Sequence, residues 1–270
     1  MLRRSLLCLL VPAALCLAGA AHAALPSVFI DELTSPEVRD ALRAGHRIAI
    51  IPVGGTEQSG PHLALGKHNV RVKILAGRIA SGLGNALVAP VVAYVPEGSV
   101  TPPSSHMRWA GTISVPDDAF RAIIEGAARS LRQHGFTDVV LIGDHGGYQL
   151  QLKAVAAKLN REWASSPARV HFLASYYDIA QTTYVQALRS KGLGDAQIGT
   201  HAGVADTALM LATDASLVRA DRMPRDAADG APQGVSGDPR AATAALGQLG
   251  VDAIVSGSIA AIRAAVATRP

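Results

Sequence analysis

The stretch Ile48-Ala49-Ile50-Ile51-Pro52-Val53-Gly54-Gly55 decides the fold. Six apolar residues run on without alternation, as a strand buried on both faces requires, and two glycines end the run. Working outward from it, residues 87–95, 139–142 and 170–174 read as further strands. Helical patterns fill the intervals at about 70–81, 117–134, 149–163 and 205–213, and a last Ala-rich helix over 239–268 is interrupted near 247–250. This alternation predicts an α/β domain of three αβα layers, with helices on both faces of a mostly parallel central sheet. Ligand sites in such sheets gather beyond the carboxyl ends of the strands. Residues 226–238, rich in Gly, Pro and Asp, read as a surface loop rather than a linker, so residues 24–270 read as a single domain.

The first residues read as an export signal. Arg3 and Arg4 precede an apolar stretch over 5–18, and Ala21-His22-Ala23 offers the small residues a signal peptidase recognises. Cleavage near Ala23 would deliver the chain to the periplasm or the medium. The apolar stretch is shorter than the ~20 residues of a spanning helix, which makes an N-terminal anchor the lesser reading. No later segment reads as long and uncharged enough to span, so no membrane span is expected after processing. Cys8 and Cys16 both lie in this segment, which leaves the processed chain without a disulfide or a thiolate metal site. The formal net charge of +4 loses Arg3 and Arg4 and no acid, leaving +2. With so small a charge and only 4% aromatic residues, nothing points to a nucleic-acid partner.

Three segments stand where such a fold puts its site. Gly54 to Asn69 follows the first strand and carries Glu57, His62 and His68. Gly143-Asp144-His145-Gly146-Gly147 follows the third, and His201 to Thr207, with Asp206, opens a helix. A carboxylate and imidazoles projecting from strand ends are the donors that a borderline-soft cation such as zinc selects, with manganese the next candidate. Any one of these histidines alone reads equally well as a turn or capping residue. The three segments together favour a metal centre. No Gly-x-Ser-x-Gly elbow is present, which sets a serine hydrolase aside.

The run Pro52-Val-Gly-Gly-Thr-Glu57-Gln-Ser-Gly-Pro-His62-Leu-Ala-Leu-Gly resembles the signature of the creatininase family. The likeness continues through His106-Met-Arg-Trp-Ala-Gly111-Thr-Ile-Ser-Val115, His134-Gly-Phe, Gly143-Asp-His145-Gly-Gly, His201-Ala-Gly with Asp206-Thr, and Gly234-Val-Ser-Gly-Asp-Pro239. The resemblance implies a creatininase-like fold, metal-dependent hydrolysis of amide C–N bonds, a small-molecule amide substrate and a homo-oligomer. It also implies a ligand set: a Glu, a His two residues later, an Asp bridging two metals, and the His after the third strand. Glu57 and His145 match that set, whereas Ser59 stands for the second ligand and His68 for the bridging Asp.

A neutral imidazole has one free lone pair and cannot bridge two cations as a carboxylate does. The expectation is therefore one metal per chain rather than two, on Glu57, His68 and His145. Asp206 either completes the site or serves as a helix N-terminal carboxylate. By resemblance His201 supplies the proton to the leaving nitrogen; alternatively it is a loop residue bonded to backbone. His62, His106 and Tyr177 are expected near the metal or substrate, Asp144 beside the His145 imidazole, and Gly146 and Gly147 as N–H donors to an oxyanion. The alternative function is an exported small-molecule-binding protein on the same fold.

Overall fold

The computed structural model describes residues 25–268; the expected signal segment over 1–23 lies outside the described residues. Its centre is a four-stranded sheet in the order β2-β1-β3-β4, formed by β1 (Ile48–Val53), β2 (Ala86–Val88), β3 (Asp138–Gly143) and β4 (Arg169–Phe172). Every pairing is parallel. All six residues of β1 and of β3 are buried, as unbroken apolar runs demand.

The two-residue period of the strands sorts the core into layers. Ile48, Ile50, Val140 and Ile142 face one way, into a cluster with α2 (Lys67–Leu83), α5 (Ala174–Gln181), α6 (Thr183–Ser190), α8 (Val204–Thr213) and α10 (Ala244–Ala267). Ile51, Val53, Val139 and Leu141 face the other way, against α3 (Asp117–His134) and α4 (Gln149–Glu162). Ala49 and Leu87 meet α1 (Ser35–Arg43) on that second side. The short helices α7 (Asp195–Ile198) and α9 (Ala227–Gly230) complete the set among the described residues. The result is the expected three-layer αβα arrangement.

Pro52 sits in a central strand although it has no N–H to give. It is tolerated because β2 pairs only Ile48–Ile50, so Pro52 lies past the end of β2, where its carbonyl accepts from the Val92 N–H. For the same reason the expected strand over 87–95 shrinks to three residues, with Val92 and Val95 making only isolated bridges.

Residues 170–174 also divide, the last of them starting α5. Residues 226–238 contain α9 and a 3-10 turn rather than plain loop. The expected interruption at 247–250 is absent. Gly247 and Gly250 lie within an unbroken α10, where a Cβ would strike the Ala208 carbonyl and the Tyr184 ring, so these glycines permit close helix packing. α10 is also long and apolar enough to cross a membrane, contrary to the sequence reading; here it lies against α8, α5, α2 and α6.

The register places Val53 opposite Gly143. The loops that follow β1 and β3 therefore leave the sheet side by side, at its carboxyl edge. The start of α2 and the start of α8 close round the same edge.

Candidate metal centre

Glu57 is the hub of this edge. It is fully buried, and its two carboxylate oxygens face different surroundings. Oε2 lies 3.1 Å from His106 Nε2 and 3.4 Å from His145 Nε2, with no hydrogen bond in good geometry. Beyond His145 stands Glu97, buried, 3.5 Å from the imidazole Nδ1, and neither of its oxygens has a partner. Gly55, at φ 150°, lets Glu97 approach: a Cβ there would lie 2.6 Å from Glu97 Oε1. One donor atom from each of Glu57, Glu97, His106 and His145 falls within 4.8 Å of the others. Orphaned buried carboxylate oxygens are costly unless something satisfies them. Two carboxylates and two imidazoles are a suitable donor set for zinc or manganese.

Oε1 is engaged. His68 Nε2 approaches it to 2.8 Å and the Lys67 ammonium to 3.5 Å. Behind them lies a paired network. His68 Nδ1 is 2.6 Å from Asp144 Oδ2, which Arg71 also holds at 2.7 Å, while the Tyr176 hydroxyl donates to Asp144 Oδ1 at 2.9 Å. Asp206 accepts from Lys67 and Arg71, each at 3.0 Å, and from the Ala202 N–H at 2.9 Å. Lys67 and Arg71 reach this network because they stand four residues apart on the first turns of α2.

The ionisation states follow from these contacts. Burial alone would raise the Glu57 carboxyl, but Lys67 foremost, then His68 and His145, hold it far below the usual carboxylate range. Lys67 and Arg71 do the same for Asp206 against its burial. For Glu97 burial first, then the nearby Glu57 charge, outweighs the lowering effect of Lys67 and pushes it up to about 9. Burial lowers His145 to about 3 and His201 to about 4, and it also lowers His106, so these imidazoles are neutral at pH 7.

A chamber of about 200 Å³ opens onto Glu57, His106, His145, Tyr177, His201 and Asp206, and also touches His68, Asp144 and Gly146. Most residues singled out in the sequence are thus brought together, with different partners in places. His68 and Asp206 take part in the paired network rather than in the group of four open donors, because carboxylates face both His68 nitrogens and basic groups or backbone N–H occupy the Asp206 oxygens. Asp144 orients His68 and Arg71, not His145. The Gly147 N–H donates to His145 Nδ1 at 3.3 Å and is not turned toward an oxyanion, whereas Gly146 lines the chamber. His62 is fully buried away from the chamber wall, with Nε2 at 3.0 Å from Thr207 Oγ1.

His201 Nε2 lies 2.9 Å from the Gln58 carbonyl oxygen and 3.2 Å from the Gln58 side-chain amide nitrogen, while Nδ1 faces Glu57 Oε1 at 3.7 Å. Glu97, Lys67, Arg71 and Gln58 escaped the sequence reading. Glu97 did leave a signal, as the one acidic residue between Gln58 and Pro116.

A strand-end carboxylate and open imidazoles beside a chamber at the carboxyl edge of a parallel sheet make a group that could hold a metal ion. The sequence profile of the creatininase family, described as creatinine amidohydrolase, matches residues 31–262, and the chain belongs to that family. It is 28% identical over 202 residues to creatinine amidohydrolase of Pseudomonas putida, covering 73% of this chain and 76% of that one. It is 28% identical over 224 residues to mycofactocin precursor peptide peptidase of Mycobacterium ulcerans, covering 74% and 78%. Among solved structures, "Creatininase Mn" superposes with a TM-score of 0.74 at 28% identity, covering 89% of this chain and 99% of that one. A mutant creatininase of Zn-Zn type gives 0.74 at 28%, covering 89% and 98%.

Proposed function

We propose that this chain hydrolyses the C–N bond of a small non-peptide or cyclic amide. It uses one divalent ion, zinc or manganese, held by Glu57, Glu97, His106 and His145. The observation that carries this reading is the set of orphaned oxygens on Glu57 and Glu97, facing two neutral imidazoles within 4.8 Å. The likeness to creatinine amidohydrolase over three quarters of both chains supports the amide.

When bound, a divalent ion supplies Lewis acidity toward a carbonyl oxygen and toward water. The chain's own groups do the rest. The carboxylate of Glu57 stays ionised in the buried site because Lys67 and His68 neutralise its far oxygen. His201 is anchored through Nε2 on the Gln58 carbonyl, leaving Nδ1 to take the proton that attacking water gives up. The same nitrogen then returns that proton to the leaving amine. Tyr177, across from Gly146, bounds the chamber and contacts substrate there. The site of action is outside the cytoplasm, as the charged and apolar N-terminal pattern implies.

The test is hydrolysis of a panel of cyclic and linear amides by protein loaded with zinc or manganese. Turnover that a chelator abolishes and added metal restores is expected. Metal-loaded protein inert across the panel would contradict the hydrolase and leave a binding protein.

A further inference from the structure

A lysine with no exposure at all is rare and calls for a reason. Lys67 begins α2, and its ammonium lies 3.0 Å from Asp206 Oδ2 and 3.5 Å from Glu57 Oε1. It therefore sits between two carboxylates, on the side of Glu57 opposite the open donors. Every carboxylate oxygen on that side is committed. His68 takes Glu57 Oε1 at 2.8 Å, Arg71 takes Asp206 Oδ1 at 3.0 Å, and the Ala202 N–H shares Asp206 Oδ2 with Lys67. A second divalent ion would have to displace the ammonium from both carboxylates.

We propose that Lys67 is a built-in second cation, fixed to the chain between Glu57 and Asp206, which restricts this centre to one exogenous divalent ion. The inference rests on the metal reading above. Lys67 acts by positioning charge: it keeps Glu57 Oε1 occupied and directs Oε2 toward Glu97, His106 and His145. A role as nucleophile or base does not fit, because the amine has no exposure and is spent on two ion pairs. Among the groups facing it, Glu57 and Asp206 supply the negative charge, Arg71 and His68 lie alongside, and the unpartnered Oε2 of Glu57 is directed away.

The test is equilibrium dialysis against Mn²⁺ alone, with metal analysis and electron paramagnetic resonance, on the full chain and on its Lys67→Ala and Lys67→Arg variants. The parent chain is expected to hold one Mn²⁺, with the spectrum of an isolated ion even in excess metal. Lys67→Ala opens the space between Glu57 and Asp206 and is expected to hold two, with a spin-coupled signal; Lys67→Arg restores the count of one. Two coupled ions in the parent chain, or an unchanged count in Lys67→Ala, would overturn the inference. A parent chain that binds no ion would instead overturn the metal reading. Should Lys67→Ala fail to fold, Lys67→Ser, which also removes the ammonium and opens the space, takes its place with the same expected count of two.

Discussion

Both sides of Glu57 bring carboxylates and imidazoles together, but only one side adds a lysine and an arginine, and the two behave in opposite ways. On the Oε1 side, Asp144, Asp206, Lys67, Arg71 and His68 satisfy one another at 2.6 to 3.0 Å, and no carboxylate oxygen is left over. On the Oε2 side, Glu57, Glu97, His106 and His145 converge without completing each other, and three carboxylate oxygens have no partner. A paired buried network fixes geometry and gains little from a further ligand. An unpaired one is unstable as it stands and is poised to bind. The difference teaches which half of a charged cluster carries chemistry: the half with donors unspent.

The largest expected effect comes from removing the residue common to both sides. Glu57→Ala should lower kcat/KM for the amide substrate by at least about 10³-fold, roughly 4 kcal/mol at 1.36 kcal/mol per decade. Retention of a tenth of the activity would break the comparison. Next, Asp206→Ala strips the paired side of a carboxylate and leaves Lys67 and Arg71 short of a partner. Denaturant unfolding should show a loss of about 3–5 kcal/mol. A loss below ~1 kcal/mol would mean that the network does not hold this end of α2.

Glu97→Gln acts on the open side alone and should have the opposite signature. Metal affinity should fall by at least about 10-fold, as loss of a metal-supporting group does. The metal-free protein should become more stable above neutral pH. The sign follows from Glu97 being pushed up to about 9: the buried acid favours the fold fully below its unfolded value of ~4.5, and that contribution is lost as pH rises toward 9. Equal melting temperatures of the two metal-free proteins at pH 8 would argue against a buried neutral acid.

A last effect is in the histidines. His62, His145 and His201 are lowered to about 4, 3 and 4, mainly by burial. Because their folded values lie below the unfolded ~6.5, their contribution is present above pH 6.5 and is lost as pH falls toward 4 and 3. Glu97 runs the other way in this window, but as one proton against three. The melting temperature of metal-free protein should drop between pH 7 and pH 5, and a flat profile would contradict these burials.

Much of the architecture was legible in the sequence because it rests on unbroken apolar runs and long periodic helices. β1 and β3 follow from the first, and α3 coincides with its expected bounds. The short β2 was not legible, since extended chain after Val88 reads like a strand whether or not a neighbour pairs with it. Helix α1 was missed although Thr34 and Glu37 form a capping box at its start, a local signal that was available.

In the site, positions directly after strand ends were legible because topology alone puts them at one edge. His106 was legible only through the family resemblance, and Glu97 was not, because both come from the irregular segment between β2 and α3, whose path no periodicity reveals. Lys67 was hidden for another reason. A lysine beside a histidine at a helix start reads as a solvated residue until the fold buries it against Asp206, 139 residues away in the chain.

The most direct measurement is anomalous diffraction from a crystal of the zinc-loaded chain. One peak per chain is expected, bonded to Glu57 Oε2 and to His145, with Glu97 and His106 drawn in, and with Lys67 still paired to Asp206. A peak on the other side of Glu57, ligated by His68 and Asp206, or zinc-loaded crystals with no peak at this edge of the sheet, would contradict it.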